Sequence, residues 1–360
     1  MKLLVDARAL GKRPSGIGMY IYNMVSELRK YSQLEIVLVS DIAESKEMNM
    51  LANQGIRICT YGSEIKKNFG LFQYYKYVQK VIMVEKPEVF WEGNSLVPIK
   101  IRNPYGKMMV TIHDMFPITQ EEHYGKKYKY YFWYGVKKTI KNFDLLIYNS
   151  RETLQETERL FPEARNKKKF IGYIIVNKLP MIEIKDNQSF LYVGNLETRK
   201  GTDLLLLAYK KYRELGGSKE LRFAGKIREK GIQELCDQLV GNVKGLHYLG
   251  YLDDEARNRE YAECSAFVFP SRAEGFGMPV IEVMSYDKPI LVADLNIYHE
   301  IVGDAIQYAK LSGDHNNQIN SLAYAMLEMD SSIDKEKYSN VLEKYSGRTI
   351  VSNLLKVIEE

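Results

Sequence analysis

The stretch Ser271 to Glu282, SRAEGFGMPVIE, decides the predicted fold, because it joins the clearest strand of the chain to a helix. The apolar run Ala266–Phe269 comes just before it and predicts a buried parallel strand. Pro279 suits the first turn of a helix, where its missing N–H is not needed, and apolar residues follow it. Strand, loop and helix in this order predict an α/β domain with a parallel sheet.

Two glutamates in this stretch are candidate sugar-binding residues. Ligands of open α/β sheets bind outside the carboxyl ends of the strands, where this loop lies. Gly275 and Gly277 allow close approach of a ligand to the backbone, and helical N–H groups beyond them point toward an anion. Glu274 and Glu282 can accept hydrogen bonds from the hydroxyls of a sugar and of a ribose. The alternative is an ordinary junction with Glu274 in solvent and Glu282 as a capping residue.

The first half of the chain alternates strand-like and helical stretches, which predicts a parallel sheet with helices on both faces. The apolar runs lie at 3–5, 36–39, 89–91, 108–112 and 145–148. After the first run, the loop at 7–20, ARALGKRPSGIGMY, precedes an amphipathic helix predicted from 19 to 30. Gly16 and Gly18 at this helix start can cradle a phosphate through backbone N–H groups, or they form a flexible turn.

His113 and Asp114 lie past the carboxyl end of the predicted strand at 108–112. A histidine beside an aspartate is often a structural hydrogen-bonded pair. The position at a strand end favours a functional role for His113, with Asp114 as the neighbour that orients it.

The second half repeats the pattern and predicts a second doubly wound sheet. Its apolar runs lie at 190–193, 221–224, 246–249, 266–269 and 289–292. The basic stretch from Asn166 to Pro180 is predicted to be irregular, and the domain linker is placed near its end. A final amphipathic helix is predicted from 347 to 360.

Basic residues lie at two strand ends of this second sheet. Arg199 and Lys200 precede a helix predicted from 202 to 212, and there they can grip a diphosphate, arginine as a fork and lysine as a point charge. Solvated surface cations are the alternative. Gly225 and Lys226 follow the next run and can approach a nucleotide.

The segment from Tyr124 to Lys141 contains six lysines, seven aromatic residues and no acid. Such a helix suits an anionic membrane surface, with lysines on the headgroups and aromatic rings at headgroup depth. Packing of its aromatic residues into the domain, with the lysines in water, is an equal alternative. Nucleic-acid binding is a third, but no known nucleic-acid-binding module accompanies the segment.

Composition limits the class of protein. A chain of 360 residues, 45% hydrophobic and 27% charged, is long enough for two globular domains. The net charge of +5 fits an anionic small ligand or membrane and does not itself indicate nucleic acid. Cys59, Cys236 and Cys264 are isolated, as in a reducing compartment. No signal peptide or membrane span is recognised, so we expect a cytoplasmic protein, peripheral at most to the inner face of the membrane.

Several motifs resemble the family 4 class of retaining glycosyltransferases. E-G-F-G-M-P-V-I-E at 274–282 resembles the family's E-x7-E motif. V-T-I-H-D-x-x-P at 110–117 and V-G-x-L-x-x-x-K-G at 193–201 resemble two further family segments, and a glycine-rich loop and an E-x-V segment at Glu300 occur in the family's order. The resemblance implies the GT-B fold, in which two doubly wound Rossmann-like parallel-sheet domains face each other across a cleft. It implies an acceptor domain at 1–178, a donor domain at 179–345, and a helix at 346–360 that crosses back.

The resemblance also implies a reaction. A hexose or deoxyhexose would pass from a nucleotide diphosphate sugar to a hydroxyl of a carbohydrate or lipid-linked saccharide, with retention, in bacterial surface polysaccharide synthesis. No other cofactor is expected, and no metal, because Arg and Lys replace a D-x-D site. Residues expected to act in catalysis are Glu274, His113, Lys200 and Arg199. Residues expected to bind the donor are Gly16, Gly18, Gly194, Asn195, Arg199, Lys200, Gly225, Lys226, Gly275, Phe276, Gly277, Met278 and Glu282.

Two departures from the family pattern keep alternatives open. Many members carry Arg where this chain has Asn195, and many carry Gly where it has Asp287. The alternatives are another GT-B activity, such as a nucleotide-sugar epimerase or a phosphorylase, and a catalytically silent scaffold that binds nucleotide or membrane.

Overall fold

The chain forms two compact units, each built on one parallel sheet. The structure, a computed structural model, describes residues 1–65, 68–119, 125–176 and 186–360. Unit 1 comprises Met1–Ile175 and Tyr345–Glu360, and unit 2 comprises Val176–Lys344. The domain boundary predicted between 178 and 179 lies outside the described residues, as does Tyr124 of the lysine and aromatic segment.

Unit 1 contains a seven-stranded sheet in the order β3-β2-β1-β4-β5-β6-β7, with every neighbouring pair parallel. Its strands are β1 Lys2–Asp6, β2 Glu35–Ser40, β3 Arg57–Thr60, β4 Val89–Glu92, β5 Lys107–Ile112, β6 Leu145–Tyr148 and β7 Lys168–Ile171. Its helices are α1 Gly16–Leu28, α2 Lys46–Asn53, α3 Asn68–Glu85, α4 Phe116–Thr119, α5 Lys126–Asn142, α6 Arg151–Leu160 and, at the end of the chain, α14 Gly347–Glu359.

Serine caps fix several helix starts in unit 1. The Ser15 hydroxyl accepts a hydrogen bond from the Gly18 N–H at 3.3 Å, so α1 begins at Gly16, three residues before the predicted start. Ser150 caps α6 in the same way through the N–H of Thr153. The residues at which these helices begin are therefore set by capping hydrogen bonds as well as by the apolar pattern.

The core of unit 1 is continuous from the sheet into the helices that cover it. Buried side chains of the central strands pack against Phe132, Val136 and Ile140, which form the inner face of α5. The final helix α14 buries five aliphatic side chains and lies against α1, where Gly347 approaches the Glu27 side chain. The buried residues of α14 are Ile350, Val351, Leu354, Leu355 and Ile358.

Unit 2 contains a six-stranded parallel sheet in the order β10-β9-β8-β11-β12-β13. Its strands are β8 Ser189–Val193, β9 Glu220–Ala224, β10 Leu246–Tyr248, β11 Ala266–Phe269, β12 Ile290–Ala293 and β13 Gln307–Ala309. Its helices are α7 Thr202–Glu214, α8 Lys230–Leu239, α9 Asp254–Glu263, α10 Met278–Met284, α11 Asn296–Ile301, α12 His315–Leu327 and α13 Lys335–Lys344. Strand β11 lies at the centre of this sheet, so the SRAEGFGMPVIE loop leaves from its middle.

The prediction of an irregular stretch from Asn166 to Pro180 is wrong for Lys168–Ile171, which form β7. Strands β3 and β13 were not predicted either. All three lie at sheet edges, where one side of the strand has no neighbour and charged residues are common. The apolar pattern that reveals buried strands is therefore weak in them.

Candidate functional site

The centre of the candidate site in unit 2 is an ion pair between Lys200 and Glu274. Lys200 Nζ lies 2.6 Å from Oε1 and 2.5 Å from Oε2 of Glu274. The buried hydroxyl of Ser271 donates a further hydrogen bond to Oε1 at 2.7 Å. Glu274 is 8% exposed, so its interpretation as a solvated loop carboxylate is wrong. Two residues 74 positions apart are thus brought together at the carboxyl ends of β8 and β11.

The backbone of the loop after β11 depends on glycine. Gly277 has φ +86°, and a Cβ at this position would lie 2.7 Å from the Tyr298 ring. The chain then enters α10, with Pro279 in the first turn as predicted. Phe276 is buried, while Gly275 and Met278 are partly exposed on either side of it. Glycine is therefore required at 277 for both conformation and space.

Arg199 ties the loop after β8 to the loop after β11. Its guanidinium donates to the carbonyl of Ala273 at 3.0 Å and to Glu197 Oε1 at 2.6 Å. Arg272 completes the connection with two hydrogen bonds to Asp203 at 2.7 and 2.8 Å. Both loops are thus fixed, and the Arg199 charge is paired with Glu197.

Glu282 lies in α10 and points to α9. Its Oε2 accepts a hydrogen bond from the buried Tyr261 hydroxyl at 2.9 Å and lies 3.8 Å from Arg257 Nε. Burial and the Glu282 carboxylate raise the pKa of Tyr261 well above its usual range, so this hydroxyl stays a donor. Because Glu282 is partnered within the second turn of the helix, it does not act as the capping residue of the alternative interpretation.

The other predicted donor residues lie at the ends of β8 and β9. Gly225 has φ +144°, and a Cβ there would lie 1.7 Å from the Gly194 carbonyl oxygen, so the two glycines allow the strand ends to meet. Asn195 and Lys226 are exposed. Lys226 Nζ lies 4.4 Å from the centroid of the Tyr251 ring, which is 70% exposed. Tyr251 was not singled out from sequence, although it follows β10 as an aromatic residue at a strand end.

His113 lies in unit 1 and is buried. Its Nε2 is 2.8 Å from the Gly93 carbonyl oxygen, and its backbone N–H donates to the Ser95 hydroxyl at 3.0 Å. A carbonyl only accepts hydrogen bonds, so Nε2 carries the proton and Nδ1 is an acceptor. Burial lowers the pKa of His113 to about 4 and keeps the ring neutral at neutral pH. Gly93 thus orients the ring, the role predicted for Asp114, whose Oδ1 accepts from the Phe116 N–H.

Of the two glycines at the start of α1, Gly18 has a structural explanation. The Gly18 N–H is already donated to Ser15, and a Cβ at Gly18 would lie 2.3 Å from the Ala9 carbonyl oxygen. Gly16 has open space around its Cα. A phosphate cradle at this turn therefore could not use the Gly18 N–H without displacing the Ser15 cap.

Helix α5 shows two different faces. Its inner face is buried, and its outer face exposes Tyr130, Tyr134 and several lysines. At about 100° per residue, the outer residues fall within an arc of about 120°. They are the exposed Lys126, Lys127, Tyr130, Tyr134, Lys137 and Lys141 and the half-buried Lys138. The helix therefore packs aromatic residues into the domain on one face and exposes lysines and tyrosines on the other. No helix among the described residues is long and apolar enough to cross a bilayer.

Residues 180–345 match the family model described as glycosyl transferases group 1. The O-antigen chain mannosyltransferase B of Escherichia coli is 24% identical over 338 residues, which cover 85% of this chain and 85% of that protein. The O-antigen chain mannosyltransferase RfbU of Salmonella typhimurium is 22% identical over 322 residues, covering 85% and 86%. Residues 180–345 of this chain belong to the glycosyl transferases group 1 family. The predicted family is confirmed.

The fold of this group 1 glycosyltransferase is GT-B, as predicted. The crystal structure of Anabaena HepE in complex with UDP and glucose superposes with a TM-score of 0.74 at 15% identity, covering 100% of this chain and 99% of that one. The family is a retaining one, so the predicted enzyme class is also confirmed. Within the described residues, no cluster of three or more His, Cys, Asp or Glu side chains could hold a metal ion.

Proposed function

We propose that this glycosyltransferase moves a hexose or deoxyhexose from a nucleotide diphosphate sugar to a hydroxyl of a carbohydrate or lipid-linked saccharide. The relatives named as O-antigen mannosyltransferases support a role in bacterial surface polysaccharide synthesis. The structural neighbour with bound UDP and glucose supports a nucleotide-sugar donor. The observation that carries the proposal is the Lys200–Glu274 pair at the strand ends of unit 2.

In this proposal the bound donor breaks the Lys200–Glu274 ion pair and makes one contact with each of the two side chains. The diphosphate takes the Lys200 ammonium, and the sugar hydroxyls donate to the Glu274 carboxylate that Lys200 releases. As the glycosidic bond breaks, negative charge grows on the diphosphate, and Lys200 and Arg199 stabilise it more than in the ground state. Loss of one such preorganised contact costs about 2–4 kcal/mol in the barrier.

The remaining assignments follow the resemblance. Glu282 would hold the ribose beside Tyr261, and the amides near Phe276 and Gly277 would orient the sugar. Neutral His113 would contact the transferred sugar. We assign no covalent intermediate, since in this proposal Glu274 accepts hydrogen bonds from the sugar hydroxyls and from Ser271 and orients the sugar rather than attacking it. Retention then follows a front-face departure and attack.

We further propose that the outer face of α5 contacts the cytoplasmic surface of an anionic cell membrane. Its outer arc presents lysines for headgroups and tyrosines for the interfacial depth, which is the composition that such surfaces attract. Lys137 and Lys138 lie over the Trp133 and Tyr134 rings at 4.9 and 4.5 Å, so cation and ring are presented as a unit. A lipid-linked acceptor would meet the enzyme at this surface.

The donor is tested by thermal shift. Wild type, Lys200→Ala and the control Lys210→Ala, an exposed lysine of α7, are screened against UDP, GDP, dTDP, ADP and CMP and their sugars. A ligand at about 100 times its Kd stabilises by about 2.7 kcal/mol. We expect one nucleotide to stabilise wild type and Lys210→Ala, and to shift Lys200→Ala much less. If no nucleotide stabilises wild type, the donor proposal fails.

A further inference from the structure

A cavity of about 360 Å³ lies at the carboxyl ends of the unit 1 strands, next to His113. Helix α5 supplies an aromatic wall to it through Tyr128, Tyr131 and Phe132. Arg8, which follows β1, also lines it. A partly aromatic cavity with a few polar groups has the character of a saccharide site, since pyranose faces pack on rings.

The Arg8 guanidinium lines this cavity and has no hydrogen-bond acceptor among the described residues. Its Cζ lies 5.3 and 5.5 Å from the ring centroids of Tyr74 and Tyr75. Across the part of the chain that the structure describes, no hydrogen bond or ion pair of this guanidinium to a side-chain or backbone acceptor is found. An arginine has five N–H donors in a planar fork, and a half-buried one without acceptors is suited to an external anion.

The surroundings hold Arg8 in place rather than consume its donors. Asp6 and Glu92 are in register at the ends of β1 and β4, and both are fully buried. Asp6 Oδ1 accepts from the Tyr74 hydroxyl and Glu92 Oε2 from the Tyr75 hydroxyl, at 2.9 and 3.0 Å, so both rings beneath the guanidinium are fixed. Burial raises the pKa of Glu92 well above its usual range and also raises the pKa of Asp6, which lessens the negative charge that these two carboxyls place beside Arg8.

Arg8 is the cation of this cavity. Among the described residues that line it, Arg8 is the one with a permanent positive charge, because His113 is neutral. Asp114 adds a carboxylate that can accept hydrogen bonds from sugar hydroxyls. Tyr128 is 46% exposed and offers a ring face. The Arg8 cation, the Asp114 carboxylate and the Tyr128 ring together fit a sugar that carries both hydroxyls and an anionic group.

We propose that this cavity binds the acceptor and that Arg8 selects an acceptor saccharide bearing a carboxylate or a phosphate. The inference rests on the proposed transferase function and names the chemical class of its acceptor. The Arg8 fork pairs with two oxygens of either anion. The sugar ring packs on Tyr128, and its free hydroxyls face His113 and Asp114.

The test measures the binding of three probes by NMR titration. They are methyl glucuronide, glucose 6-phosphate and the neutral methyl glucoside. We expect wild type to bind at least one anionic probe about tenfold or more tightly than methyl glucoside. The anionic probe that binds more tightly shows whether the anionic group of the acceptor is a carboxylate or a phosphate. Arg8→Gln should abolish the preference. Arg13→Gln, the same charge change five residues on at an exposed position outside this cavity, should keep it.

Equal binding of neutral and anionic probes by wild type would overturn the inference. It is also overturned if Arg8→Gln keeps the preference, or loses affinity for a nucleoside diphosphate instead, since Arg8 would then serve the donor. If Arg8→Gln does not fold, hydrogen exchange of wild type decides. Anionic probes should slow exchange at 8–10 and 126–134 more than methyl glucoside does, and equal effects would refute the inference.

Failure of this inference and of the proposed function are distinguishable. A wild-type protein that a nucleotide stabilises, yet that binds acidic and neutral glycosides alike, keeps its transferase proposal and loses the acceptor assignment. A protein that no nucleotide stabilises loses the transferase proposal itself.

Discussion

At the scale of single residues, the proposed donor site centres on the ion pair between Lys200 and Glu274. Both side chains are largely buried, at 17% and 5% exposure. Removing one partner of such a pair leaves an uncompensated charge, whereas neutralising both is much less harmful. The pair therefore holds the Glu274 carboxylate in position for a ligand that can replace Lys200.

We predict that Lys200→Ala lowers the free energy of unfolding by about 3 kcal/mol, because the Glu274 carboxylate stays buried without its cation. The double variant Lys200→Ala with Glu274→Gln should recover at least half of that loss. Urea denaturation of the two single variants and the double variant measures the coupling. Purely additive losses would show that the pair does not couple in this way.

His113 gives a pH prediction. Its folded pKa of about 4 lies below the ordinary value of 6.5, so the unfolded chain binds the proton more readily. The associated stability is complete above pH 6.5 and is lost as the pH falls toward 4, by about 3 kcal/mol in total. Asp6 and Glu92 have raised pKa values and act in the opposite sense, so the comparison is with a variant.

The variant is His113→Gln, whose amide can still donate to Gly93. Between pH 7 and pH 4, wild type should lose about 3 kcal/mol more of its unfolding free energy than the variant does, in urea titrations at each pH. Parallel pH profiles for the two proteins would mean that His113 is not held neutral.

Asp287 shows what sequence alone could not interpret. The residue was noticed as an Asp where many relatives have Gly, and the structure gives it φ +54°. This left-handed region favours Gly and is tolerated by Asp, and Lys335 lies 3.4 Å from the carboxylate. The replacement therefore preserves the turn after α10.

At the scale of elements, buried strands could be predicted from the sequence, whereas three strands at sheet edges could not. Strands β1, β4, β5, β8 and β11 are buried apolar runs inside their sheets, and the pattern revealed them. The unpredicted β3, β7 and β13 are edge strands with charged or polar residues, such as Lys168 and Lys169 in β7. Their strand state depends on pairing with a neighbour, which local sequence does not encode.

Helix α5 carries the element-scale prediction. Reversing three outer charges, with Lys126, Lys137 and Lys141 each changed to Glu, should reduce binding to vesicles rich in anionic lipid by at least tenfold, since each cation contributes about 1 kcal/mol. Co-sedimentation measures it. The matched control reverses Lys230, Lys244 and Lys310, three exposed lysines of unit 2. Equal losses in both variants would attribute binding to net charge and refute a specific α5 surface.

At the scale of the whole molecule, the sequence predicted that the candidate site residues lie at strand ends but not the contacts that hold them there. Arg199, Lys200 and Glu274 were found because parallel strands end at one edge of a sheet. The partners Ser271, Arg272 and Tyr261 were missed, because a serine, an arginine or a tyrosine has no local pattern that announces a partner distant in sequence. Those side chains nevertheless fix the loop geometry.

The last helix joins the end of the chain to the first unit, and this gives a prediction about folding. Five aliphatic side chains of α14 are buried in unit 1, at about 1.5–3 kcal/mol each, so their sum is comparable to the whole stability of a typical domain. Deletion of 347–360 should therefore unfold unit 1 and leave unit 2 folded.

Hydrogen exchange distinguishes the two units. In the deletion variant, β1 and β4 should lose their protection while β8 and β11 keep it, and nucleotide-induced stabilisation should persist because the proposed donor residues Lys200 and Glu274 remain. Leu354→Ala should give a partial loss of about 3 kcal/mol, and the exposed Lys356→Ala almost none. If β1 and β4 stayed protected without α14, the helix would be a dispensable appendage, and the core of unit 1 would be complete within its first 175 residues.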